Sequence, residues 1–138
     1  SIMISPGKKL RPISIKTGPW PQFATDNMPI LLSVLTKVPG KSIVEEKIFS
    51  NRFMAVPELK RMGAKILVRK NKAFVVGQKK LKSADCISSD LRTTFSIILG
   101  AISAEGSSSI SRIYHGLRGY DNLENKLKKI GIKIKFKK

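Results

Sequence analysis

The chain has 138 residues, 41% of them hydrophobic, with a single cysteine and a formal net charge of +18. That length suits one folding unit around one core, and the lone Cys86 excludes both an internal disulfide and a cysteine-based metal cluster. No apolar run approaches the roughly 18 residues of a membrane span, and the basic residues are scattered from Lys8-Lys9 through Lys79-Lys80 to Lys126–Lys138 without the aromatic-basic interleaving of the RNA-recognition type, so they read as solvated surface and no specific nucleic-acid partner is expected.

In chain order, Lys9 to Lys16 alternates polar and apolar residues and predicts a half-buried strand. Gly18-Pro19-Trp20-Pro21 then blocks helix and central strand alike. Asp26 to Val38 predicts a helix whose apolar residues, from Met28 to Val38, circle most of the wheel, so it should be buried on nearly all sides. A strand is predicted over Ser42–Glu46 and an amphipathic helix over Phe53–Met62. Strands at Ala64–Arg69 and Ala73–Gly77 are joined by a tight turn at Asn71-Lys72. A second helix, again apolar on most faces, covers Leu91–Ala104. Beyond it come a strand at Ser108–Ile113, an amphipathic helix at Tyr120–Ile130 and an edge strand at Ile132–Phe136 guarded by lysines.

The second half of this order repeats the first. Asp26 and Asp90 are 64 residues apart, Gly40 and Gly106 are 66, Arg52 and Arg118 are 66, and Gly63 and Gly131 are 68. A long period of this kind marks supersecondary units that must pack together to bury their apolar faces. We therefore expect two similar units, at 8–78 and 79–138, of helix, strand, helix and strand. Helices apolar all round place the helices inside and the sheets outside, an inside-out α/β (α+β) fold with mixed sheets.

The same repeat brings out candidate functional residues. Asp26 and Asp90 each precede an apolar helix, where a carboxylate caps free N–H groups. Capping also lowers the carboxylate pKa and weakens it as a base. Arg52 and Arg118 fall where a loop runs into a helix, and there a guanidinium adds a planar fork for carboxylate or phosphate to the helix dipole. The plain alternative is an exposed ion pair of little energetic weight. Arg92, two residues into its helix, is a secondary candidate for the same pocket. Gly40-Lys41-Ser42 ends like a phosphate-binding loop, but Leu35 stands where the first glycine is required. His115 and Cys86 read as structural residues.

Several motifs carry a family resemblance. Ser50-Asn51-Arg52-Phe53-Met54-Ala55-Val56-Pro57-Glu58-Leu59-Lys60-Arg61-Met62-Gly63-Ala64, Arg112-Ile113-Tyr114-His115-Gly116-Leu117-Arg118-Gly119-Tyr120, Trp20-Pro21-Gln22-Phe23-Ala24-Thr25-Asp26 and Ser89-Asp90-Leu91-Arg92 stand in order at consistent spacing. Together they resemble the UDP-N-acetylglucosamine 1-carboxyvinyltransferase family, the enolpyruvyl transferases of peptidoglycan synthesis. The resemblance implies the C-terminal part of such an enzyme, with the inside-out fold and cytoplasmic localisation. It also implies phosphoenolpyruvate and UDP-N-acetylglucosamine as substrates, no cofactor or metal, no membrane partner, and an N-terminal portion of the same enzyme as the missing partner. By that likeness Asp26 accepts the proton of the sugar 3′-hydroxyl, Ile48 touches the nucleotide sugar, and Arg52 and Arg118 hold phosphoenolpyruvate, with Asp90 and Arg92 in support. The family's reactive-cysteine loop and its Lys-Asn pair are not in these residues, so the chain alone is expected to be inactive. Two positions depart from the pattern: Gly116-Leu117 replaces Ile-Asp before the last arginine, and Ala24 replaces a proline. A basic nucleic-acid module and a non-catalytic remnant stand as the alternatives.

Overall fold

The computed structural model describes residues 2–3 and 9–136. It is a mixed α/β structure. A four-stranded sheet in the order β1-β2-β4-β3 comprises β1 (Ser14–Lys16), β2 (Lys41–Glu45), β3 (Lys65–Arg69) and β4 (Lys72–Val76). β1 runs parallel to β2, and β4 runs antiparallel to both of its neighbours. Between β1 and β2 the chain passes through a 3-10 turn at Thr25–Asn27 and helix α1 (Met28–Leu35); helix α2 (Ala55–Arg61) lies between β2 and β3. Farther on, β5 (Leu81–Lys82) pairs with β7 (Ala104–Glu105), and β6 (Asp85–Ile87) with β8 (Ser109–Ser111), both in parallel. Helix α3 (Leu91–Ile102) makes that crossover, and the short α4 (Tyr114–Leu117) and α5 (Leu123–Lys129) follow. Helices thus join three parallel pairs, α1 between β1 and β2, and α3 between β5 and β7 and between β6 and β8. The glycines that punctuate both halves, Gly40 with Gly106 and Gly63 with Gly131, all adopt positive φ, a conformation open to glycine at no steric cost.

The core lies between the helices and the large sheet. Met28 and Leu32 of α1, Leu59 of α2, Val44 and Val75 of the sheet and Ile97 of α3 are fully buried. α3 packs closely because Gly100 has no side chain; a Cβ there would meet Met62 Sδ at 2.8 Å and Leu59 Cδ2 at 3.0 Å. Ser96 Oγ donates to the Pro29 carbonyl at 2.7 Å and so ties α3 to α1 across the core. No helix among the described residues is long and apolar enough to cross a membrane.

Several predicted elements differ from the observed ones. Ile132–Phe136 is no strand: Ile132, Ile134 and Phe136 alternate inward against Ile98, Leu123 and Leu127, but the segment has no ladder partner among the described residues. The turn is Lys70-Asn71 rather than Asn71-Lys72, since Arg69 pairs with Lys72 and Lys70 takes φ 53°. The first strand is shorter than predicted: its ladder with β2 covers Ser14–Lys16, with Ile13 adding a bond from its carbonyl to the Ile43 amide, and residues 9–12 form no strand. α1 is also less enclosed than predicted, as Val34 is 43% exposed on its open side.

Candidate active site

The loop that leaves β2 is organised by Glu46, a residue that sequence reasoning assigned only to the end of a strand. Its side chain is buried, and its Oε1 accepts from Thr17 Oγ1 at 2.8 Å, from the Ile48 amide at 2.7 Å and from the Phe49 amide at 3.1 Å. Its Oε2 accepts from Thr25 Oγ1 at 2.8 Å. Burial pushes the Glu46 pKa up, yet the bonds from Ile48, Thr17, Phe49 and Thr25 outweigh it and hold the carboxyl below the ordinary glutamate value of 4.5. Ile48, carried by this loop, is 43% exposed and available to a ligand.

Arg52 lies at the far end of the loop, before α2. Its Nε donates to Thr25 Oγ1 at 3.2 Å, and its guanidinium lies over the Phe49 ring at 4.5 Å, a cation–π arrangement. Its Nη2 is 3.2 Å from Asp26 Oδ1, and the same oxygen is 2.8 Å from Arg92 Nε. Three of the six candidates therefore meet at one carboxylate, drawn from the 3-10 turn, the β2–α2 loop and the first turn of α3. Arg92, the secondary candidate, makes the shorter contact. The ion-pair bond from Arg92 is the main cause that depresses the Asp26 pKa; burial opposes it, and the charges of Arg92 and Arg52 add to the lowering. Two guanidinium groups share the Asp26 carboxylate, and the Asp90 charge also acts on Arg92.

Asp26 makes no capping bond, contrary to the cap expected of it. A 3-10 turn precedes α1, and Asp26 lies inside that turn, with its side chain directed to the arginines. Asp90 is the true cap. Its Oδ1 accepts from the Arg92 and Thr93 amides at 2.9 and 3.1 Å, and its Oδ2 accepts from the Thr93 and Ser89 hydroxyls at 2.5 and 3.1 Å. Burial raises its pKa, and these bonds overcome it to give a net lowering. Its side-chain bonds go to Ser89 and to the first turn of α3, so Asp90 bears on the cluster by fixing the backbone that carries Arg92.

Arg118 follows α4 and is exposed; among the described residues no ion pair joins it to the cluster. Its flanking glycines set its place. A Cβ on Gly116 would meet Thr94 Cγ2 at 2.4 Å, and one on Gly119 would meet Leu91 Cδ1 at 2.7 Å, so the turn bearing Arg118 lies against the start of the helix that carries Arg92. Thr94 is itself bound to Ser88 and to the Asp90 carbonyl, and a bulky residue at position 116 would displace it. The Gly116-Leu117 departure is thus matched to a close local packing. Ala24 has φ −65°, the value a proline ring imposes, so the turn keeps its course without the proline. Cys86 is buried, and burial first, with the nearby Glu58 charge, pushes its thiol up to about 11; it is a packing residue, not a reactive one.

The buried Glu46 and the half-buried Asp90 give the fold a pH dependence of defined sign. Glu46 and Asp90 have lower pKa values folded than unfolded, so the unfolded chain takes up more protons as acid is added. Their stabilisation is complete above the ordinary values of 4.5 and 3.8 and is lost as pH falls through the folded ones. The thermal midpoint should be level near neutrality and drop below those values, with a shallower acid limb in Glu46→Gln. Identical limbs in the two proteins would show that Glu46 does not contribute.

Comparison with known proteins gives the chain a family. Residues 1–127 match the family described as EPSP synthase (3-phosphoshikimate 1-carboxyvinyltransferase). Over 134 residues, 97% of the chain, it is 48% identical to a UDP-N-acetylglucosamine 1-carboxyvinyltransferase of Pelagibacter ubique (strain HTCC1062) and 45% identical to one of Campylobacter jejuni (strain RM1221). It spans 32% of each, about a third of the length of these curated relatives. Among solved structures, the enolpyruvyl transferase NikO from Streptomyces tendae superposes with a TM-score of 0.84 at 26% identity, over 94% of this chain and 30% of that one. An EPSP synthase from Acinetobacter baumannii, 18% identical, shares the fold with a TM-score of 0.66 over 92% of this chain and 29% of its own. With a match over most of its length and relatives this similar, the chain belongs to the enolpyruvyl transferase family typified by EPSP synthase.

Proposed function

We propose that these residues are the C-terminal portion, built of two similar units, of an enzyme that transfers enolpyruvyl from phosphoenolpyruvate to the 3′-hydroxyl of UDP-N-acetylglucosamine. The observation that carries this reading is the convergence of Asp26, Arg52 and Arg92, three residues far apart in sequence, on one carboxylate oxygen. The transfer makes a bond from the sugar oxygen to the enolpyruvyl carbon and releases phosphate. It requires removal of the hydroxyl proton, delivery of a proton to the methylene carbon, loss of a proton from the resulting methyl group as the C–O bond to phosphate breaks, and cations for the phosphate and carboxylate. Asp26 orients the hydroxyl. Held low by its arginines, it is a weak base and takes the proton late, as the oxygen becomes acidic on attack. Arg52 and Arg118 grip phosphoenolpyruvate, Arg92 supports Asp26, and Ile48 touches the nucleotide sugar. The proton donor to the methylene carbon would come from the remainder of the enzyme.

The test uses two proteins: the 138-residue chain, and a chimera in which it replaces the corresponding part of the Pelagibacter relative. The chimera should release phosphate only when both substrates are present, and the chain alone should release none. Substrate-dependent release by the pure chain would overturn the division of catalytic parts, and an inactive but folded chimera would overturn the assignment.

A further inference from the structure

Glu46 combines features that an ordinary strand-end glutamate lacks. It is 2% exposed, and among the described residues no ion pair includes it. Its four hydrogen-bond donors come from three separate segments: Thr17 after β1, Thr25 at the 3-10 turn, and the amides of Ile48 and Phe49. A buried charge neutralised only by hydrogen bonds is costly unless every bond is made. Thr25 gives this arrangement a direction. A threonine hydroxyl has one hydrogen. Because that hydrogen goes to the Glu46 carboxylate, the Thr25 oxygen has only lone pairs for Arg52, and it accepts the Arg52 Nε–H at 3.2 Å. The guanidinium is thus fixed at Nε from one side and faced by the Phe49 ring from another, leaving Nη2 to reach Asp26.

We propose that Glu46 is a positioning residue that, through the Thr25 hydroxyl, sets the orientation of the Arg52 guanidinium. Its consequence for anion binding rests on the reading of Arg52 given above, whereas the relay itself does not. The amides of Ile48 and Phe49 bind the same carboxylate, so one buried group sets both the loop and the arginine at its end.

The relay is tested in the 15N-labelled chain by the shift and solvent exchange of the Arg52 Nε–H. Thr25→Val keeps shape and removes the hydroxyl, Thr25→Ser restores it, and Glu46→Gln removes the charge. Exchange should rise several-fold, up to about tenfold, in Thr25→Val and Glu46→Gln, the scale of one lost hydrogen bond, and Thr25→Ser should stay near the starting protein. In Thr25→Val the Ile48 and Phe49 amides should remain protected, because Glu46 is still present; general loosening of the fold would expose them too. Unchanged Arg52 exchange in Thr25→Val would overturn the proposal, and this pair decides the matter even if Glu46→Gln does not fold. Inorganic phosphate added to each protein is read separately. A response of Arg52 in the starting protein that weakens in Thr25→Val supports the link to anion binding, whereas no response in any of them counts against the anion role of Arg52 and leaves the exchange result to judge the relay.

Discussion

Replacing Arg52 with alanine in the chimera is expected to lower kcat/KM for phosphoenolpyruvate by about 10²–10³-fold, the scale on which loss of one preorganised charge or donor at a reacting anion is felt. The substitution removes three interactions at once: the ion pair with Asp26, the bond to Thr25 and the stacking on Phe49. The fold should survive, since Arg52 lies at the rim of the core and contributes no apolar packing to its centre. Arg52→Lys should recover only part of the loss, because an ammonium is a point charge that cannot hold Thr25 and Asp26 in one plane. Near-normal kcat/KM in a folded Arg52→Ala chimera would remove Arg52 from the site. Arg92→Ala separates the roles further: if Arg92 serves Asp26 rather than phosphoenolpyruvate, its loss should slow turnover more than it raises KM for phosphoenolpyruvate.

The largest expected loss of stability comes from Leu32→Ala. Leu32 is fully buried in the cluster that joins α1 to the sheet and to α3. Truncating such a leucine costs about 2–5 kcal/mol, as lost transfer free energy plus the cavity left behind. In urea the midpoint should fall with an unchanged slope. Val34→Ala, two residues along the same helix on its open side, should change stability by no more than about 0.5 kcal/mol. Equal effects at the two positions would mean that α1 does not pack as described.

What could be read from the residues divides along a physical line. Apolar runs located α1 and α3 because burial imposes a helical period on the residues themselves. Alternation at Ile132, Ile134 and Phe136 misled, since a row of inward side chains is needed for packing whether or not a neighbouring strand supplies hydrogen bonds. The turn was placed one residue late because Asn71 attracts a turn and Lys70 does not, although Lys70 has the left-handed backbone. Strands of two residues such as β5 and β7 leave no pattern at all. In the site, Asp26 and Arg52 stood out through the repeat and the family resemblance. Their contact with each other depends on how the β2–α2 loop meets the 3-10 turn, and their contact with Arg92 on how α3 packs against α1, neither of which a local pattern reveals. Glu46 escaped for a related reason: beside Glu45 it resembles surface charge, and only the fold brings Thr17 and Thr25 to it.

The most direct measurement is the structure of the chimera with phosphoenolpyruvate and UDP-N-acetylglucosamine bound. The turn that bears Arg118 already lies against the start of α3, the helix that carries Arg92. With both ligands in place, the Arg52 and Arg118 guanidinium groups should each lie within hydrogen-bonding distance of one phosphoenolpyruvate, with Asp26 against the sugar 3′-hydroxyl. Arginines on opposite faces in the occupied site, or phosphoenolpyruvate seated away from Arg52, would contradict the proposed site and leave the fold and family as all that these residues share with their relatives.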